Sequence, residues 1–428
     1  MPACVVRVRV RIDNIAAGGA GVGRGPDGRA LFVHRTAPGE LVEVRILAQK
    51  QRWARAELLR VLESAAERRM APCRFYERCG GCTLEHLAYE AQLRVKAQIV
   101  ADALRRIGGL SVERPPVVPS PAEFRYRNRV SFTLVRFAGG RVVAGFHELH
   151  RPERVLDIDE SCLLPEQPVA AAWGALRGAW GRSAHRLPSG PKLRLTLRGT
   201  ASGACSLLVQ GGYGPGQPAE LLALVPLLAA VWQQPRPDAQ PVLLAGTEQL
   251  EETWSDEELA LGGAVFLQVN RGAAALLEAH VLSCAGDVSG RTVVDAYCGV
   301  GVHARRLARL GARVTGIELD PFAAGEAQRA APGARVINAP VEAALAATLP
   351  VDLVILNPPR AGAAAEALDA LLARPPARII YISCDPATLA RDLRRLRRVF
   401  RVESISCFDL FPQTSHVETV VELACSTT

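Results

Sequence analysis

The stretch Thr292-Val293-Val294-Asp295-Ala296-Tyr297-Cys298-Gly299-Val300-Gly301, leading through His303–Leu310 into Arg313-Val314-Thr315-Gly316-Ile317-Glu318, decides the fold. Thr292 to Asp295 read as a strand buried on both faces, the glycine pair as a tight turn, and 303–310 as a helix. From about Val265 onward the sequence strand, glycine turn, helix repeats. This alternation predicts a mainly parallel, doubly wound α/β sheet of Rossmann-like type.

Such sheets bind ligands at the carboxyl ends of their strands, where glycine lets the backbone pass close beneath. Glu318 ends the second strand, placed to accept hydrogen bonds from two ribose hydroxyls, and Tyr297 beside the turn is expected to touch the same ligand. The third glycine of the dinucleotide fingerprint is missing, which favours S-adenosylmethionine over a nicotinamide cofactor. Cys298 reads as small buried filler.

Two later strands end at the same edge. Leu353–Leu356 runs into Asn357-Pro358-Pro359-Arg360, a rigid, donor-poor turn. An aromatic after Asn-Pro-Pro marks methyltransferases of exocyclic amino groups, and Arg360 stands in its place. Arg378–Ile382 runs into Ser383-Cys384-Asp385-Pro386, and a helix begins near Ala387. Cys384 is thus expected beside a helix N-terminus, which can lower a thiol pKa. A packed structural thiol is the alternative. Carbon 5 of uracil is too weakly nucleophilic to take a sulfonium methyl unaided, and thiolate addition to carbon 6 activates it. The carbon 5 proton must then leave to a base. Glu418, in His416-Val417-Glu418-Thr419-Val420, is the candidate. The alternatives are a solvated edge glutamate and His416 as a rival base.

The chain has 428 residues, enough for two or three domains. Its 51 basic and 43 acidic side chains give a net +8, which suits an anionic partner such as nucleic acid. That inference is discounted, because arginine has replaced lysine everywhere except Lys50, Lys96 and Lys192, a pattern coding bias can produce. No apolar run reaches the roughly 20 residues of a membrane helix, Leu221 to Trp232 being broken by Pro226. The start lacks signal-peptide features. A cytoplasmic monomer without membrane contact is expected.

Alternating residues from Val6 to Ile12, the glycine-rich turn 18–23, and strand-like Ala30–His34, Leu41–Leu47 and Trp53–Leu62 predict a small OB-like β-barrel over 1–66. Arg7, Arg9, Arg11 and Arg24 could give it a basic groove for RNA. A central α+β domain spans 72–250, with a helix from His86 to Ile107 that packs on the catalytic domain, a Pro-rich linker over 115–121, and strands at 126–135, 141–146, 192–197 and 206–209. The methyltransferase domain occupies 255–428. Eleven unevenly spaced cysteines argue for reduced thiols. Cys73, Cys79 and Cys82 lie close together, with Cys162 as a fourth. Four cysteines suit either zinc or an iron–sulfur cluster, and spacing leaves both open.

The chain resembles the bacterial RNA (uracil-5-)methyltransferases over nearly its whole length. Phe266-Leu267-Gln268-Val269-Asn270, Asp295-Ala296-Tyr297-Cys298-Gly299, Asn357-Pro358-Pro359-Arg360, Ser383-Cys384-Asp385-Pro386-Ala387-Thr388-Leu389-Ala390-Arg391-Asp392 and His416-Val417-Glu418 occur in the family's order. The resemblance implies that Cys384 is the nucleophile and Glu418 the proton acceptor. It implies Gln268, Tyr297, Glu318 and Asn357 as S-adenosylmethionine contacts. It makes the barrel a TRAM domain and the four cysteines ligands of a [4Fe-4S] cluster. Many members carry Asp at Asn357, and some Asn at Val302. Barrel and cluster together tilt the expected substrate to 23S rRNA, with tRNA as alternative. An amino-group methyltransferase and a non-catalytic RNA-binding protein are the remaining readings.

Overall fold

A computed structural model describes residues 7–254, 257–262 and 267–426, so Phe266 lies outside the described residues. β1 (Arg7–Ile15), β2 (Ala20–Arg24), β3 (Ala30–His34), β4 (Leu41–Gln49) and β5 (Trp53–Glu63) close into a barrel in the order β1-β2-β3-β5-β4. The alternating residues Val10, Ile12, Leu31, Val33, Val42 and Val44 fill it. The glycine stretch joins β1 to β2. A Cβ on Gly19 would lie 2.5 Å from Thr83, so a bare backbone is what lets this turn touch the cysteine segment.

Residues 64–88 are irregular and carry three of the four clustered cysteines. Arg35 of the barrel holds them. Its Nη1 donates to the Cys82 carbonyl at 2.7 Å, its Nη2 to those of Tyr76 and Cys79 at 2.5 and 2.7 Å. The guanidinium also stacks 3.5 Å over the Tyr76 ring. α1 (Tyr89–Ala103) starts three residues after the expected His86, because 86–88 are spent bonding back to 67–69. It runs into a π-helical turn, Leu104–Gly108, and stops at Gly109 with φ 63°. The segment read as a Pro-rich linker contains β6 (Val117–Val118), an edge strand beside the C-terminal sheet. The Pro116 and Val118 carbonyls accept from Cys407 and Asp409, a use of backbone that proline at a sheet edge permits.

A seven-stranded sheet follows, with α2 (Gln167–Ala179) and α3 (Pro218–Leu224) beside it. Its strands are β7 (Arg129–Arg136), β8 (Val142–His147), β9 (Val155–Asp157), β10 (Lys192–Gly199), β11 (Cys205–Gln210), β12 (Leu228–Gln234) and β13 (Val242–Gly246), ordered β13-β12-β11-β10-β7-β8-β9. Leu193, Leu195 and Leu197 bury one face against Trp173 and Phe132. β14 (Gln249–Trp254) and β15 (Glu257–Gly262) form a separate hairpin.

The last layer is the doubly wound sheet. α4 (Arg271–Ala285), β16 (Thr292–Ala296), α5 (Val302–Arg309), β17 (Arg313–Glu318), α6 (Pro321–Ala330), β18 (Arg335–Asn338), α7 (Val341–Thr348), β19 (Leu353–Leu356), α8 (Ala365–Ala373), β20 (Arg378–Ser383), α9 (Pro386–Leu396), β21 (Phe400–Phe408) and β22 (Glu418–Cys425) appear in that order. The sheet runs β18-β17-β16-β19-β20-β22-β21-β6. β18 to β20 are parallel, and β22 enters antiparallel between β20 and β21. Successive residues serve opposite cores: Val294, Val354 and Tyr381 one, Val293, Ile355 and Ile380 the other. Val100 and Leu104 of the α1 region join the first of these. Among the described residues no helix is long and apolar enough to cross a membrane.

Candidate active site

A cavity of about 760 Å³ opens at the carboxyl edge of β16, β17, β19 and β20. Gln268, Tyr297, Glu318, Asn357, Cys384 and Glu418 all line it. Trp232, Gln240 and Pro241, from the end of β12 and the loop after it, close another side, so the cavity lies between the two sheets. Its floor is the glycine turn, with Gly299 and Gly301 at φ 56° and 78°. A Cβ on Gly301 would meet Ala327 at 3.0 Å. Tyr297 holds a positive φ of 64°, a conformation uncommon outside glycine, and turns the chain toward the cavity. The Glu318 carboxylate accepts from the Gly299 N–H at 2.9 Å and from the Asp320 N–H at 2.8 Å, which fixes it at the rim. Gln268 is held through its carbonyl by Asn128 Nδ2 at 3.0 Å, and Asn357 through its N–H to the Ala296 carbonyl at 3.3 Å. The volume falls within the roughly 300–1,000 Å³ of small-molecule sites.

Cys384 and Glu418 stand at the ends of adjacent strands, because β20 and β22 pair Ser383 with Thr419. Glu418 is 4% exposed, and burial pushes its carboxyl up to about 7, against the pull of Arg360. The thiol corrects an expectation. Helix proximity was to lower its pKa, whereas burial, with the charge of Glu418 second, pushes Cys384 up to about 11. Asp385 caps α9, accepting the Ala387 and Thr388 N–H groups at 2.9 and 3.0 Å, and its charge beside the thiol adds a little to the rise. Arg360 is the positive charge that draws both groups toward ionisation.

Cys73, Cys79, Cys82 and Cys162 line one small cavity with Phe75, Tyr76, Phe124 and Phe146. All four are free thiols, and burial pushes each up, Cys162 to about 12. Among the described residues, however, no three His, Cys, Asp or Glu side chains are arranged to hold a metal ion. The expected [4Fe-4S] cluster is therefore not shown. The four thiols share the lining of that one cavity. The Gly81 N–H points at the Cys79 sulfur at 3.3 Å, and the Glu85 carboxylate takes the Cys73 N–H at 2.7 Å.

Comparison with known proteins is in keeping with this geometry. The chain is 33% identical to an uncharacterised RNA methyltransferase of Synechocystis, covering 97% of this chain and 95% of that protein. It is 35% identical to another from Nitratidesulfovibrio vulgaris, with the same two shares covered. Residues 312–425 match the family tRNA (Uracil-5-)-methyltransferase. The chain belongs to the RNA (uracil-5-)methyltransferase family. This S-adenosylmethionine-dependent RNA methyltransferase also matches the TRAM domain over residues 5–59, the barrel described above. Its fold is similar to that of the Pyrococcus abyssi tRNA (uracil-54, C5)-methyltransferase solved with S-adenosyl-L-homocysteine. The TM-score is 0.74 at 26% identity, covering 97% of this chain and all of that one.

Several residues that line the cavity escaped sequence reasoning, among them Arg360, His303 and Phe411. Arg360 was weighed only as the residue that is not aromatic, although its place after a rigid Pro-Pro at a strand end was signal enough. His303 and Phe411 also line the cavity. His303 Nδ1 is buried without a partner. Nothing in the spacing of either residue marks it, since only the tertiary fold brings them to the cavity. His416, the rival base, is exposed and does not line the cavity.

Proposed function

We propose that this enzyme forms 5-methyluridine in 23S rRNA, with Cys384 as nucleophile and Glu418 as acceptor of the carbon 5 proton. The observation that carries this is that both residues share one cavity with the glycine turn and Glu318. Bound S-adenosylmethionine supplies an electrophilic methyl on its sulfonium. Gln268, Tyr297, Glu318 and Asn357 bind it in this proposal, Glu318 through the ribose hydroxyls. Cys384, its proton lost to solvent, adds to carbon 6 as the thiolate, the pair of electrons displaced to carbon 5 takes the methyl, and S-adenosyl-L-homocysteine is left. Carbon 5 then carries both methyl and hydrogen. Glu418 removes the proton, the ring double bond returns, the carbon 6–sulfur bond breaks and the thiolate is released. The fully buried setting of Glu418 suits a base poised near neutrality.

RNA containing 5-fluorouridine tests this, because fluorine cannot leave as a proton. The enzyme should stall as a covalent adduct that survives denaturation, and Cys384→Ala should form no adduct and lose methylation at least about 10³-fold. An active Cys384→Ala enzyme sinks the proposal. tRNA is the second reading, favoured by the substrate named for the Pyrococcus abyssi protein. Mapping 5-methyluridine in ribosomal and transfer RNA from cells with and without the gene decides between them.

Cys73, Cys79, Cys82 and Cys162 are further proposed to hold a [4Fe-4S] cluster. What supports this is that all four thiols line one small, mostly apolar cavity, with Arg35 beside Cys79 and Arg127 beside Cys82 and Cys162 to favour thiolates. Anaerobic reconstitution should give about four iron and four sulfide per chain with visible absorbance. Cys79→Ser should reduce both. Stoichiometric zinc with no sulfide is the contrary result.

A further inference from the structure

The turn that leads into Glu418 has its own bonds from Thr414 to the Phe411 carbonyl and from the His416 N–H to Thr414, but most of its hydrogen bonds come from outside it. Its centre, Gln413, is fully buried with φ 69°, a costly conformation for a residue with a side chain. The Gln413 carbonyl accepts the N–H groups of Thr83 and Leu84 at 2.8 and 2.9 Å, the two residues that follow Cys82. Its own N–H donates to Gln92 Oε1 at 3.0 Å. Its side-chain oxygen accepts from Gln92 Nε2 at 2.9 Å and from Arg69 Nη2 at 3.1 Å, and its Nε2 donates to Glu123 at 3.3 Å. Neighbouring residues are tied the same way. Lys96 Nζ donates to the Phe411 carbonyl at 3.1 Å, the Tyr126 hydroxyl to that of Pro412 at 2.9 Å, and the Ser415 N–H to Thr83 Oγ1 at 3.1 Å. Phe411 at one end of the turn and Glu418 just beyond the other both line the cavity.

We propose that Gln413 is a positioning residue through which the cysteine loop and α1 hold the turn, and so set Glu418 for the elimination step. The inference rests on Glu418 being the proton acceptor. Addition of Cys384 and methyl transfer come before the base acts, so a displaced turn slows the last step selectively. A shift of about 1 Å in a reacting group can cost about 10²-fold. The carbon 5 proton then stays on carbon, the carbon 6–sulfur bond stays intact, and methylated RNA remains bound to the enzyme through Cys384.

Rapid-quench kinetics on RNA with ordinary uridine reads this directly. Gln413→Ala should release S-adenosyl-L-homocysteine in a burst of about one per active site. Its steady turnover should fall about tenfold or more, and it should accumulate a denaturation-stable RNA–protein adduct. Gln92→Ala, which leaves Gln413 in the chain, should show the same pattern more weakly and serves if the first variant does not fold. Loss of burst, adduct and turnover together, or turnover equal to the parent enzyme, overturns the proposal. Glu418→Gln separates the two levels. If it turns over normally, the base assignment itself has failed; if it accumulates adduct while the other two variants do not, only the positioning role has.

Discussion

Arg360 is one charge serving two titrating groups. Both Cys384 and Glu418 are raised by burial and drawn back by this guanidinium, to about 11 and about 7. In the proposed mechanism each must lose its proton to act, so turnover should climb as pH rises through about 7 and continue upward as the thiol ionises. Removing the cation raises both groups. For Arg360→Gln the pH–rate profile should move up by about one unit, with a loss of about tenfold at pH 7 that higher pH partly restores. A loss of equal size at every pH would show that Arg360 does something other than tune these groups. The same two residues show what sequence conveys at this scale. Cys384, Glu418, Glu318 and Asn357 were legible because each ends or begins a strand, and strand ends in such a sheet meet at one edge. The thiol's protonation was not, because it depends on burial and on the charges of Glu418 and Arg360, which only the tertiary fold brings to it.

At the scale of elements, α1 is pinned to the far end of β21 by ionised groups in a dry place. Lys96 and Asp409 are both fully buried and form an ion pair, and Tyr89 donates to the same carboxylate at 3.0 Å. Breaking a buried pair from one side strands the other charge, at a cost of about 3–5 kcal/mol. Lys96→Met should therefore lower stability by about that much in urea titrations, and Asp409→Asn on that background should return part of it. If Lys96→Met melts like the parent protein, the pair does not anchor the helix. Some alternating stretches were read from the chain to the residue, as with β3 at Ala30–His34, whereas α2, α3 and β12 to β15 were not read at all. β6 was not, since two valines between prolines carry no period and become a strand only when β21 offers its edge. The π-helical end of α1 is invisible for a related reason: Leu104 to Ile107 are ordinary helix formers with nothing to mark a change of winding, and Gly108 reads only as a helix stop.

For the whole molecule, the barrel, the cysteine segment and the catalytic sheet meet around one short turn. Arg35 is the brace on the barrel side, with three hydrogen bonds to main-chain carbonyls of the cysteine segment and a face on Tyr76. Arg35→Ala leaves those buried carbonyls unpaired, which should cost about 3 kcal/mol and make the chain sensitive to limited proteolysis between residues 63 and 73. Unchanged protease resistance would mean the barrel is held by other contacts. Three layers could be counted from composition and periodicity. Their junction could not, because Gly18, Thr83, Gln92 and Ser415 are near one another only in space. That junction has a consequence for how the protein is made. During synthesis the barrel, the cysteine segment and α1 leave the ribosome hundreds of residues before the turn that they grip. Glu418 and the strand that carries it, inserted between β20 and β21, are made only after them. The turn and the strand that carries Glu418 therefore take their places only against a barrel and a helix made long before them.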